Sequence, residues 1–253
     1  MSACAPLDDP AYPPHPPVPW KRREQIGLAT LYLGDCREIA PTFERPAAVI
    51  SDPPYGIGYV HSGHVRGQAA AIGMTRHANE RGAVPIVGDD EPFDPTNWSA
   101  MADRVLLWGA DRYRSRLPEG GTLLCWDKSE GRGPNDTFID GEFAWCNWRE
   151  PRNTFSLLWK GLACDKRGEN NGRRDHPTQK PLRLMRWCIE KAKVPAGGAI
   201  LDPYMGSGST GVAAVQMRHP FVGIEIEERY FDIACRRIEE AQRQGDMFRD
   251  APA

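Results

Sequence analysis

Residues 198–226, GAILDPYMGSGSTGVAAVQMRHPFVGIEI, restrict the fold more than any other stretch of the chain. A short apolar run gives way to Asp202 and Pro203, then to glycines at 206, 208 and 211. Small residues at helical spacing follow, and a second apolar run closes the unit at 220–226. That order predicts strand, tight turn, helix and parallel strand, the repeating unit of an α/β sheet. The spacing Gly206-x-Gly208-x-x-Gly211 allows a tight turn, close approach of backbone to a ligand, and close packing of helix on strand. Glu225 ends the second strand, where an acid that binds ribose hydroxyls stands in nucleoside-binding sheets. The unit predicts a nucleoside-containing cofactor; the bland alternative is a glycine-rich turn beside a solvated Glu225.

The chemistry around the loop narrows the cofactor. No lysine follows the glycines, so a phosphate-cradling P-loop is excluded. A dinucleotide oxidoreductase is the formal competitor, because the glycine fingerprint is present. Against it stands Asp202, a carboxylate beside the place a diphosphate would occupy. A cofactor with a cationic amino acid end is favoured by that same acid. S-adenosylmethionine has such an end, a ribose for Glu225, and no phosphate.

A second segment, AVISDPPYG (48–56), places an acid, two prolines and an aromatic ring directly after a buried-looking run. Pro53 and Pro54 forbid ladder bonding and helix, so the chain leaves the sheet stiff and extended. Asp52 and Tyr55 are then held at the carboxyl end of a strand, where open α/β sheets bind their ligands. A strand followed by a plain proline turn is the competing reading.

The remaining chain predicts one globular α/β domain with insertions: 253 residues, 40% hydrophobic and 26% charged. Residues 1–20 are proline-dense and read as a disordered arm. Strands are expected at 29–35, 104–110, 121–128 and 154–161. A helix should begin at Pro181 with Leu182, Met185, Ile189 and Ala192 on one face, and another should span 228–244, capped by Gly245. Residues 61–82 read as a long mobile loop. No apolar run is long enough to span a membrane, and the N-terminus lacks a secretion pattern. Seven scattered cysteines without a CxxC pair predict reduced thiols in a cytoplasmic protein. His61, His64 and His77 lack partner spacing, so no metal site is expected. A net charge of −2 excludes a globally basic nucleic-acid binder. Local charge differs: Arg149, Arg152, Lys160, Lys166, Arg167, Arg173 and Arg174 give 149–174 a basic balance suited to phosphate contacts.

Taken together, DPPY (52–55), HPTQKP (176–181), DPYMGSGST (202–210) and FVGIEIEERYFDIA (221–234) resemble the amino-group DNA methyltransferases, which modify adenine N6 or cytosine N4. Their order resembles the beta class, and WDK with FAWCNW looks like its phage-type members. The resemblance implies the S-adenosylmethionine-dependent methyltransferase (Rossmann-like) fold: a seven-stranded mixed sheet with helices on both faces, circularly permuted. Strands near 30–35 and 47–51 would then neighbour those near 199–203 and 221–226. It divides the chain into the arm, 1–20, and a methyltransferase domain, 21–253, with target-recognition insertions at about 60–100 and 128–175. Trp98, Trp145 and Trp148 fall there, though core packing explains tryptophans equally well.

The family's residues carry over one at a time. Asp52 and the Pro53 carbonyl each accept one hydrogen of the target amine, Pro54 stiffens the segment, and Tyr55 supplies a stacking face for a flipped base. Asp35, followed by Cys36, matches the acid that bonds the cofactor's adenine. Thr178, Gln179 and Lys180 match the segment that cradles the methionine carboxylate, with His176 orienting it. Asp202, Pro203, Tyr204, Gly206, Ser207, Gly208, Ser209 and Thr210 form the cofactor loop, and Glu225 with Ile226 the ribose end. The expected activity is methyl transfer from S-adenosylmethionine to adenine N6 in double-stranded DNA, by direct displacement on a flipped base. Asp at 52 leans toward adenine over cytosine N4. A non-catalytic DNA-binding relative is disfavoured, because the motifs are complete. A homodimer and a cognate restriction endonuclease are left open.

Overall fold

A computed structural model describes residues 18–58, 60–61, 84–130, 141–160, 163–164 and 179–247. Most of the N-terminal arm, the 62–83 stretch, His176, Thr178 and the basic side chains at 160–174 lie outside the described residues. Near the N-terminus, β1 (Arg22–Ile26) turns at Gly27 (φ +53°) into β2 (Ala29–Leu33). There follow α1 (Cys36–Ile39), β3 (Ala48–Ser51), the short strands β4 (Val60–His61) and β5 (Val84–Pro85), α2 (Thr96–Ser99) and β6 (Arg104–Trp108). The middle holds β7 (Thr122–Asp127), β8 (Gly141–Cys146), β9 (Thr154–Ser156), β10 (Trp159–Lys160) and β11 (Ala163–Cys164). The chain closes with α3 (Leu182–Ala192), β12 (Ile200–Asp202), α4 (Ser209–Gln216), β13 (Phe221–Glu225) and α5 (Glu228–Met247).

Nine strands form the main sheet in the order β1-β2-β13-β12-β3-β6-β8-β7-β9, two more than the seven expected. From β2 through β6 all neighbours are parallel; β8 is antiparallel to both β6 and β7, which makes the sheet mixed. β2 lies on β13 and β3 on β12, the permuted neighbours implied by the resemblance. Side-chain alternation sorts the core into two layers. Leu31, Ala48, Ile50, Leu106 and Trp108 face α3, α4 and α5. Tyr32, Val49, Val105, Leu107 and Ile224 face the short helices α1 and α2 with Phe93, Trp98 and Tyr113. Each fully buried large apolar side chain contributes about 1.5–3 kcal/mol, so strands buried on both faces read as continuous apolar runs.

Two further sequence expectations change. The segment 154–161 is two strands: Leu157 and Trp159 donate their amides to the carbonyls of Asp127 and Lys128, and only then does β10 pair with β11. Gly245 does not cap the last helix, which runs on to Met247; one glycine inside a long helix costs only about 1 kcal/mol. Trp98 and Trp145 are buried in the core and Trp148 packs against it, as the core-packing reading of these tryptophans has them.

Candidate active site

All the parallel strands from β2 to β6 end at one edge of the sheet, and the sheet's direction of winding reverses between β12 and β3. Crevices outside such switch points bind ligands. A cleft of about 1180 Å³ opens there. It is lined continuously from Asp35, Gly206, Glu225 and Ile226 at one end to Asp52, Tyr55, Lys128 and Glu142 at the other. Within the floor, Ser51 Oγ donates to Asp202 Oδ1 (2.6 Å), joining the ends of β3 and β12. The Tyr204 amide also donates to Asp202 (3.1 Å). Burial, opposed by the Ser51 and Thr210 hydrogen bonds, pushes Asp202 up to about 6.

The glycine loop is shaped as its spacing requires. Gly206 and Gly208 have φ of +52° and +80°, values that side chains disfavour. A Cβ on Gly211 would lie 2.6 Å from both Ile238 and Phe221, so α4 sits close to α5 and β13 only because this residue is glycine. Glu225 reaches back to the loop: its Oε2 accepts from the Gly206 amide (2.9 Å) and its Oε1 from the Glu227 amide (2.8 Å). Burial raises Glu225 to about 7 in spite of those amides. Ser207 is fixed from beneath by the buried Arg237, whose Nη1 donates to its carbonyl (2.6 Å) and hydroxyl (2.9 Å). Ser209 and Thr210, both buried, begin α4, and Gln179 Oε1 accepts from Ser207 Oγ at 3.5 Å. Asp35 caps α1 through the Arg37 amide and pairs with the Arg37 guanidinium (2.6 Å), which holds its carboxyl below the usual range. Cys36 is buried, its thiol pushed up to about 12 by desolvation, and Tyr204 packs edge-on against Phe93 and Trp98.

At the other end, Asp52 follows β3 with both carboxylate oxygens engaged. Tyr55 Oη donates to Oδ1 (2.5 Å) and Lys180 Nζ to Oδ2 (2.6 Å). Burial raises the Asp52 pKa, with Lys180 opposing and Glu142 adding to the rise. The Lys180 ammonium meets Asp52, Glu142 Oε2 (3.2 Å) and the Tyr55 hydroxyl (3.2 Å). Only 8% of its side chain is exposed, and despite burial its two carboxylates hold it charged. Glu142 also pairs with Lys128 (2.5 Å); against desolvation, the two ammonium groups hold it at about 2. Tyr55 lies flat against backbone, since a Cβ on Gly109 would fall 2.1 Å from its ring.

Glu142, Lys128, Gly109 and Asp89 are site residues that sequence reasoning missed. Asp89 accepts from the Gly56 amide (2.8 Å) just beyond the 52–55 segment. Gly109 follows an apolar strand, and that position was the one signal available for it. Among the described residues no cluster of three metal-binding side chains occurs, and no helix is long and apolar enough to cross a membrane.

The family model for N6/N4 DNA methylases matches residues 126–236. YubD of Escherichia coli (strain K12), a methylase by name, is 41% identical over 233 residues, covering 85% of this chain and 92% of that one. M2.DpnII of Streptococcus pneumoniae, a type II methyltransferase, is 42% identical over 82 residues, 32% of this chain and 30% of its own. M2.LlaDCHI of Lactococcus lactis subsp. cremoris, named likewise, is 36% identical over 88 residues, 35% of this chain and 32% of its own. The chain thus spans about a third of the two type II enzymes and nearly all of YubD. Among solved structures, the complex of M1.HpyAVI with SAM has a TM-score of 0.54 at 23% identity, covering 83% of this chain and 98% of that one. The cytosine-N4-specific PvuII DNA methyltransferase has 0.56 at 12%, covering 92% and 97%. Both likenesses concern the fold.

Proposed function

The chain belongs to the N6/N4 DNA methylase family, and from that membership we propose that it transfers a methyl group from S-adenosylmethionine to the exocyclic N6 of adenine in DNA. The observation that carries this reading is the single cleft that joins the glycine loop and Glu225 to Asp52 and Tyr55. A cofactor at one end and a base at the other would meet without crossing protein.

The cleft's charge supports the cofactor. Among the described residues ten carboxylates line it against four cations. That balance suits a cationic sulfonium with an ammonium end and opposes a diphosphate, which disfavours the dinucleotide alternative. Glu225, ionised, would accept the ribose hydroxyls, with Ile226 (42% exposed) beside it at the rim. Gly206 and Gly208 would let backbone approach the ligand, and Asp35 and Cys36 would border its adenine end. When bound, the cofactor would supply an electrophilic methyl group and keep the pair of the broken carbon–sulfur bond as a neutral thioether, while Asp52 would take the proton that the methylated amine sheds.

The chain's own residues then prepare the amine. An exocyclic amine is a weak nucleophile while its lone pair is delocalised into the ring. In this reading Asp52 accepts one amino hydrogen and the Pro53 carbonyl the other, favouring a pyramidal nitrogen. Pro53 and Pro54 hold that carbonyl in place, so the step is governed by positioning. Tyr55 presents its face to the extruded base. Lys180 keeps a buried carboxylate charged until the amine shares it, and Glu142, itself paired with Lys128, holds Lys180 there.

Incubating the protein with DNA and methyl-deuterated S-adenosylmethionine, then digesting to nucleosides for mass spectrometry, tests the proposal. Labelled N6-methyl-2'-deoxyadenosine is expected. Labelled N4-methyl-2'-deoxycytidine would move the target to cytosine, and no label in either nucleoside would overturn the reading.

A further inference from the structure

Residues 54–58 are tied to residues 88–91, a distant part of the chain, in four ways. Asp89, 3% exposed, accepts the Gly56 amide on Oδ1 at 2.8 Å, with the Ile57 amide at 3.5 Å. The Asp89 carbonyl accepts the Gly58 amide at 2.7 Å. Gly56 (φ +73°) is pressed so closely on the Glu91 carbonyl that a Cβ would lie 2.5 Å from its oxygen. Gly88 (φ +80°) stands against the Pro54 ring, 3.7 Å from where its Cβ would be. Beyond these ties β4 pairs with β5, so the two ends of the intervening chain leave together.

We propose that Asp89 is a positioning residue that fixes the Asp52–Tyr55 strap for methyl transfer, a role that rests on the function proposed above. The strap is short and leaves β3 without ladder bonds after Ser51. Its two prolines remove amide donors, so the first backbone donors beyond Tyr55 are those of Gly56, Ile57 and Gly58. Asp89 takes all three, through side chain and carbonyl. A buried carboxylate bonded to backbone amides holds its partners more firmly than a neutral acceptor does. Without it the Pro53 carbonyl and the Tyr55 ring lose their fixed place relative to Asp52, and misplacement near 1 Å can slow a reaction about a hundredfold. The cofactor end of the cleft, on β12 and β13, shares none of these bonds.

The test uses the full chain with Asp89→Ala and Asp89→Asn. Asp89→Ala should lower kcat by about ten- to a hundredfold, leave S-adenosylmethionine affinity unchanged, and speed hydrogen exchange of the 56–58 amides. Asp89→Asn retains a side-chain oxygen acceptor and should recover most of both. An Asp89→Ala enzyme with wild-type kcat would overturn the proposal. So would a loss of cofactor affinity and kcat together that Asp89→Asn fails to rescue, which marks a merely structural residue. If the wild-type protein transfers no methyl group, the functional reading falls and exchange decides: faster exchange in Asp89→Ala but not in Asp89→Asn upholds the tie, and equal exchange in all three removes it.

Discussion

Asp52 has no spare oxygen in this structure, since Tyr55 takes one and Lys180 the other. On the proposed mechanism a target amine would share or displace one of them. Asp52→Ala should cut transfer by about 10²–10⁴-fold, while calorimetry shows cofactor affinity almost unchanged, because the residue stands at the other end of the cleft from Glu225. Tyr55→Ala should weaken the hold on a flipped base by about 1–3 kcal/mol; a mismatched target, cheaper to extrude, should partly rescue that variant and not Asp52→Ala. Lys180 opposes the burial that raises Asp52. In Lys180→Met the Asp52 pKa rises further, so the acid limb of the pH–rate profile should move to higher pH; a limb that stays put would separate Lys180 from the Asp52 titration. The DPPY strap and the glycine loop were legible as site candidates because each is written in adjacent residues with unusual backbone demands. Glu142 and Lys128 were not, because each is an ordinary charged residue until β7 and β8 bring the two together and set Glu142 beside Lys180.

The same distinction between local and distant information governs the elements. Helices α3, α4 and α5 and the parallel strands of the core read clearly, since their apolar positions repeat at the period of the element. β8 was passed over: glycine, glutamate and alanine dilute its aromatic residues, and it becomes a strand by lying between β6 and β7. β1 was missed as well, its charged alternation being that of an edge strand, with Arg22 paired to Glu24 and to Asp232 on α5. Packing of α4 rests on Gly211 in a way the sequence did foresee. Gly211→Ala places a methyl group 2.6 Å from Ile238 and Phe221, and overpacking of that kind costs about 1–3 kcal/mol. Denaturant midpoints should fall accordingly, and cofactor affinity should fall with them, because the helix that moves begins at Ser209 and Thr210. An unchanged midpoint would mean that α5 yields freely.

At the scale of the whole molecule, the sheet brings together two chain segments some 150 residues apart, and it buries the acids of both. Asp202 and Glu225 are raised to about 6 and about 7 from ordinary values of 3.8 and 4.5, in each case first by burial, and Asp52 is shifted the same way. A raised carboxyl keeps its proton in the folded protein after the unfolded chain has released it. Between about pH 4 and 7 the native state therefore binds more protons, and stability falls as pH rises. Glu142, held at about 2 by Lys180 and Lys128, acts in the opposite sense: its contribution is whole above its ordinary value and is lost as pH drops toward 2. From about pH 5 upward only the raised acids still slope. Urea denaturation should thus show the protein less stable at about pH 8 than at about pH 5, by on the order of 1–3 kcal/mol. Glu225→Gln, uncharged throughout, should remove much of that difference. Ligand binding should respond in reverse. If only ionised Glu225 accepts the ribose hydroxyls, S-adenosylmethionine affinity should rise up to about tenfold per unit below pH 7 and level off above it. Saturating cofactor would then restore at high pH the stability that ionisation removes there. A wild-type midpoint that climbs from pH 5 to 8, or an affinity indifferent to pH in both wild type and Glu225→Gln, would show that the acids of this cleft do not titrate as their burial requires.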